Sequence, residues 1–212
     1  MTNQIVSHKR FKALVSVVYV ISLIALILVG IATLATLVAS FVLIMVPVDS
    51  LMNILSSIPA NFTFEGEGFS LAITDDLLSS VTLDKTLLVI TAFVSTLSIV
   101  PMFLIIYFLN RWLNNLRKGD ILVPKNSKYI EYIGYSFVLL SLMETLLTYF
   151  SSTLVSNALA MSSLPVEVAE FLNIDSTVSF NFITIFAGIL IWIIAKTMQY
   201  GAFLQDEYDA TV

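Results

Sequence analysis

Cysteine is missing altogether, and histidine occurs once, at His8. Disulfide staples, thiol nucleophiles and cysteine-ligated zinc or iron–sulfur centres are thereby excluded. One imidazole near the amino terminus leaves little for metal binding or acid–base work. Charge is scarce too: 12% of the residues are Asp, Glu, Lys or Arg, against about a quarter in an ordinary soluble domain. No HExxH helix, GxSxG elbow, Walker loop or glycine-rich dinucleotide fingerprint is present. No catalytic residue, metal or cofactor is therefore expected, and the chain does not read as an enzyme. A net charge of −5 also speaks against direct binding of nucleic acid.

What the chain has in quantity is apolar side chains, at 58% of 212 residues, with a mean hydropathy of +0.95. A soluble domain carries roughly 45 to 50%, so lipid is the expected solvent. Crossing a bilayer takes roughly 20 apolar residues. Four runs qualify, at about 13–47, 86–109, 132–155 and 177–197. The expected fold is an all-α integral membrane protein with four transmembrane helices in a single membrane domain. The first run, extending about 52 Å as a helix, is too long for one simple crossing of about 30 Å of hydrocarbon. It reads as an uncleaved signal anchor whose far end, near Leu37 to Met45, leaves the lipid. For helix packing, Ala32, Ala35 and Ala39 share a face of the first run, and Gly188 with Ala187 and Ala195 allows close approach by the fourth.

Basic loops stay cytoplasmic. Lys9, Arg10 and Lys12 precede the first run, Arg111, Arg117, Lys118, Lys125 and Lys128 follow the second, and Lys196 closes the fourth. Only Lys85 falls on the other side, with Asp49, Glu65, Glu67, Asp75, Asp76, Asp84, Glu167, Glu170 and Asp175. The expected location is the cell membrane, multi-pass, with both termini cytoplasmic. A cytoplasmic loop covers about 110–131 and a tail about 198–212, while loops of about 48–85 and 156–176 lie outside. In the outer loops, the alternation in 61–73 around Glu65-Gly66-Glu67-Gly68 predicts a β-hairpin, with Phe62, Phe64, Phe69, Leu71 and Ile73 as its contact residues. Asp75 and Asp76 suggest a short helix start, and Val166 to Leu172 a short amphipathic run. Together these predict a small acidic extracellular cap.

The stretch RWLNNLRKGDILVPKNSKYIEYIG carries half of the basic residues. Orientation alone accounts for them, but the pattern is richer. Trp112 belongs at a membrane interface, Leu113, Leu116, Ile121 and Leu122 offer anchors for a segment lying on headgroups, and Gly119 suits a left-handed cap after Arg117 and Lys118. Ser127 suits a cap for the next helix. Cations at this level attract anionic lipids at roughly 1 kcal/mol each. Arg117, Lys118, Gly119 and Asp120 are the candidate interaction residues here. In the tail they are Gln205, Glu207 and Asp209, where acidic charge either pairs with the basic loop or stands solvated on a frayed end.

The four-run layout, this basic stretch and the ending YGAFLQDEYDATV resemble a family of small bacterial membrane proteins with a domain of unknown function. The likeness lies in an RKGD-type turn after the second run and an L-Q-x-E-x-D-x-T-V ending, here Leu204, Gln205, Glu207, Asp209, Thr211 and Val212. Genes of that family often sit beside a small helix-turn-helix regulator, and the resemblance therefore implies a membrane partner for a transcription factor.

Within the runs, Glu144 departs from the solvent's demands. An ionised carboxylate at mid-membrane costs at least about 2.5 to 3.5 kcal/mol. Either it is a neutral acid hydrogen-bonded to Ser or Thr of a neighbouring helix, or it handles protons or cations. Lys196, at the end of the fourth run, can snorkel to the surface. Two functions follow: a regulatory or sensory membrane protein that holds a cytosolic partner, or a small transporter or channel component using Glu144. The bilayer is a partner in both, and self-association is compatible with either.

Overall fold

The structure, a computed structural model, describes residues 2–57, 63–66, 69–72, 83–120, 123–158 and 180–211. Its elements are α1 (Thr2–Met45), α2 (Val48–Ser57), β1 (Thr63–Gly66), β2 (Phe69–Ala72), α3 (Lys85–Lys118), α4 (Pro124–Ala158) and α5 (Phe182–Thr211). Four of the helices, α1, α3, α4 and α5, are long and apolar enough to cross a membrane. Aliphatic side chains such as Leu14, Ile21, Leu28, Ile31 and Leu34 stand exposed around α1. A water-soluble monomer rarely exposes so large an apolar surface; hydrocarbon accommodates it.

The helices overrun the apolar stretches that mark them in the sequence. Much of the expected cytoplasmic loop of 110–131 is helical, because α3 continues to Lys118 and α4 begins at Pro124. Polar residues end a membrane's hydrocarbon layer without ending a helix, whose hydrogen bonds are internal. Residues 111–118 are accordingly the last turns of α3, not a separate segment lying on headgroups. Where the helices do end, local chemistry is responsible. Pro47 follows α1 and starts the turn into α2, its carbonyl accepting from the amides of Ser50 and Leu51. Asp84 caps α3 by accepting from the amides of Thr86 and Leu87 at 2.9 and 3.2 Å. Asn181 caps α5 through the amide of Thr184, and Pro124 occupies the first helical position of α4, where its missing N–H costs nothing.

The chain divides into two compact units. One comprises Met1–Ala35, Leu97–Thr145 and Phe180–Val212. In it α1 packs on α3 through small and polar groups: Asn110 Nδ2 donates to Ser22 Oγ at 2.8 Å, and a Cβ on Gly30 would meet Phe103 at 3.6 Å. The antiparallel pair α4 and α5 approaches closely at Gly134 and Gly188. A Cβ at either would stand 2.8 Å from the other's carbonyl oxygen. Gly188 and the buried Ala195 thus provide the close approach expected of them. Ala32, by contrast, is exposed; the face of α1 that packs here carries Val15, Ser22 and Gly30. Hydroxyls and amides that bond across helices hold this interface, and counting small residues alone picks the wrong face.

The other unit comprises Thr36–Thr96 and Leu146–Ser179. There Ser40 and Thr96 hydroxyls meet at 3.2 Å, Phe41 and Phe93 rings pack edge to face at 5.5 Å, and Lys85 Nζ donates to the carbonyl of Ile44 at 2.9 Å. A cation at a helix C-terminus satisfies an orphan acceptor. Ala39 stands exposed, as Ala32 and Ala35 of the first unit do. Strands β1 and β2 pair antiparallel with Phe64 opposite Leu71 and Glu65 opposite Ser70. The amphipathic helix α2 has no counterpart in the sequence expectations. Phe62, Ile73, Asp75, Asp76 and the run from Val166 to Leu172 lie outside the described residues.

Candidate functional site at the turn between α3 and α4

Gly119 has a φ of 98°, a left-handed conformation that costs other residues about 1–2 kcal/mol. Its amide bonds the carbonyl of Leu116 at 3.1 Å, and that of Asp120 bonds the carbonyl of Asn115 at 3.1 Å. These are the two bonds of a Schellman cap. The turn is then fastened from the far side by Asn126, fully buried at 0% exposure. Its Nδ2 donates to the carbonyl of Asp120 at 2.5 Å, its Oδ1 accepts from Asn115 Nδ2 at 2.7 Å, and its backbone amide bonds Val123. Ser127 is not the cap expected of it: it lies inside the first turn and donates back to the carbonyl of Pro124.

Cations surround this turn in two kinds of setting. Arg111 is held to Tyr107, whose hydroxyl accepts from Nη2 at 3.1 Å, and the Arg117 guanidinium lies 4.7 Å from the ring centre of Tyr19 on α1. Lys118, Lys125 and Lys128 are exposed, as are Gly119 and Asp120. Trp112, placed at this level by the sequence, has a buried indole nitrogen with no acceptor among the described residues.

One turn further along α4 stands a pair that the sequence reading passed over. Lys196 Nζ and Glu131 Oε1 are 2.9 Å apart, their side chains 44% and 17% exposed. The Tyr135 hydroxyl donates to the same oxygen at 2.7 Å, and Lys196 also lies 5.8 Å from the Trp192 ring centre. Lys196 therefore ties α5 to α4, where the sequence suggested only snorkelling. Its signal was a carboxylate just before the third apolar run, opposite a cation at the close of the fourth. Antiparallel helices bring such ends level.

Beyond this pair α5 continues unbroken to Thr211. The tail is a helix and not a frayed end. Asp206 and Glu207 are exposed, and among the described residues the one ion pair is Lys196 with Glu131, so no ion-paired docking onto the basic turn is seen there. Gln205 and Asp209 belong to the same helix, with side chains outside those described. Exposed Tyr200, Leu204 and Tyr208 recur every four residues, and with Phe203, three after Tyr200, they share a face. Ala195 and Ala202, 1% and 2% exposed, mark the opposite, packed side.

Glu144 is half-buried on α4. Its helical position is opposite that of Lys128 and Tyr135, on the side that carries Ile133 and Phe137. Among the described residues no cluster of three or more His, Cys, Asp or Glu is placed to hold a metal ion.

No curated protein and no solved structure matches the chain. A family model does, over residues 73–212, a stretch that takes in α3, the basic turn, α4 and α5. By that match the chain belongs to the family described as Protein of unknown function (DUF2975).

Proposed function

We propose that this is a multi-pass protein of the cell membrane that serves as a regulatory or sensory partner of a cytosolic protein, such as a transcription regulator. Both termini and the α3–α4 turn face the cytoplasm on this reading, with Lys196, Trp192 and Tyr135 at the inner headgroup level. The segment with the β1–β2 pair then forms the core of an extracellular cap. The observation that carries the reading is the far end of α5. From Lys196 to Thr211 is about 22 Å of helix, too far to stay at the interface of a helix that crosses the bilayer. It bears Tyr200 and Tyr208, 64% and 70% exposed, beside Phe203 and Leu204. An amphipathic helix with anchors at i, i+4 and i+8 is what a hydrophobic groove of another protein accepts. Exposed Glu207, seven residues after Tyr200 and on the same face, suits a groove that offers a cation among its apolar contacts.

The test is site-specific photocrosslinking in living cells. A crosslinker at Leu204 or Tyr208 is expected to capture one defined cytosolic protein, and the same probe at Leu139 is expected to capture none. Adducts to lipid alone, or the same proteins from all three positions, would count against the proposal. Glu144→Gln is expected to leave the adduct unchanged; if the protein instead moves ions or solutes, that substitution abolishes the movement.

A further inference from the structure

One face of α4 is graded in a way that neither partner binding nor helix packing requires. Positions 125, 128, 132, 135, 139 and 142 recur at three- and four-residue steps and lie on a single face. All six side chains are exposed. Read from the turn, they are two lysines, two tyrosines and two leucines. Lys128 precedes Tyr132 by about 6 Å and Leu142 by about 21 Å along the axis. Phosphate, glycerol ester and acyl chain follow one another in that order in a glycerophospholipid.

Two further observations point to a negatively charged lipid. Lys196, on the neighbouring helix, has Glu131 as its counter-ion, whereas Lys125 and Lys128 have no carboxylate within ion-pair distance among the described residues. Their charge is left for an outside anion. The tyrosines below them are also fixed in place. The Tyr132 ring packs against that of Phe108, centroids 5.0 Å apart and planes tilted by 37°, and the Tyr135 hydroxyl is held by Glu131 at 2.7 Å. The surface beneath the lysines is thus ordered before any lipid arrives, which lowers the entropy lost on binding.

We propose that this face of α4 is a binding site for an anionic glycerophospholipid, its phosphate on Lys125 and Lys128, its glycerol region on Tyr132 and Tyr135, and an acyl chain along Leu139 and Leu142. The site rests on α4 crossing the bilayer and is independent of any cytosolic partner.

Binding of acyl-labelled phosphatidylglycerol to the full chain in neutral detergent micelles tests it. At about 1 kcal/mol for each lysine, Lys128→Gln is expected to weaken binding about fivefold, and Lys125→Gln with Lys128→Gln about thirty-fold. Labelled phosphatidylcholine is expected to bind the double variant and the parent alike. Removing two cations elsewhere, by Arg10→Gln with Lys12→Gln, is expected to change phosphatidylglycerol binding less than about twofold at moderate salt, where separated charges are screened. An equal loss from the two double variants would mean diffuse attraction and no site. Displacement by soluble glycerol phosphate, in place of unlabelled phosphatidylglycerol, would overturn the assignment to a lipid.

Discussion

Adding one methyl group at Gly188 is expected to push α4 and α5 apart. The new Cβ would stand 2.8 Å from the Gly134 carbonyl oxygen, 3.0 Å from a Val138 methyl and 3.1 Å from Phe137 Cβ. Two of those three neighbours are backbone or the root of a side chain, so neither can swing away; the helices themselves must shift. Overpacking of this kind costs about 1–3 kcal/mol. The shift would reach the Glu131–Lys196 pair and the bond from the Ser141 hydroxyl to the Asn181 carbonyl, now 2.9 and 3.1 Å. Gly30→Ala is the control. It adds the same methyl group to a helix interior, with Phe103 at an ordinary 3.6 Å, and so carries the helix-propensity gain of about 1 kcal/mol without the clash. Unfolding in mixed micelles by increasing dodecyl sulfate, followed by circular dichroism, reads the difference. Gly188→Ala is expected to fall below Gly30→Ala by about 1–3 kcal/mol, with Gly134→Ala alongside it. Gly201, where a Cβ meets nothing within 4 Å, is expected to tolerate Ala at no cost. Equal stability of Gly188→Ala and Gly30→Ala would refute the close contact.

Two further substitutions probe the basic turn and the pair beside it. Asn126→Ala removes both side-chain bonds of a fully buried amide, to Asn115 and to the Asp120 carbonyl; at about 0.5–1.5 kcal/mol for each bond, a loss of about 1–3 kcal/mol is expected in the same unfolding assay. Glu131→Gln, in contrast, removes half of a pair open to solvent and is expected to cost less than about 1 kcal/mol. A loss several times larger would mean that the pair is far better shielded than its exposure indicates.

Composition carried the fold class, because apolar runs of this length have few soluble solutions, and four long apolar helices are what the structure contains. The helix ends were less legible. Hydropathy reports where lipid stops, so it bounds a loop at about 110–131, although 110–118 and 124–131 continue as helix. The real stops were present as capping chemistry, in Asp84, Gly119, Pro124 and Asn181; only Gly119 was read correctly. Packing faces were harder still. Ala32, Ala35 and Ala39 look like a contact stripe, yet Ser22, Ser40, Asn110 and Thr96 make the bonds, and which polar group finds which depends on the register of two helices. The Glu131–Lys196 pair is legible only once α4 and α5 are known to be antiparallel neighbours. At the candidate site, the sequence located the basic turn and the tail. It did not foresee that the tail is a straight continuation of α5, since acidic residues near a terminus fit a frayed strand of chain equally well.

The orientation of the basic turn bears most directly on the whole account, and the absence of cysteine makes it measurable with single labels. Val123→Cys, in the turn, and Ser57→Cys, at the end of α2, can each be treated in intact cells with a maleimide that does not cross membranes. Position 57 is expected to label in intact cells, and position 123 only after the membrane is opened. Labelling of position 123 from outside an intact cell would contradict the membrane orientation on which the proposed function stands.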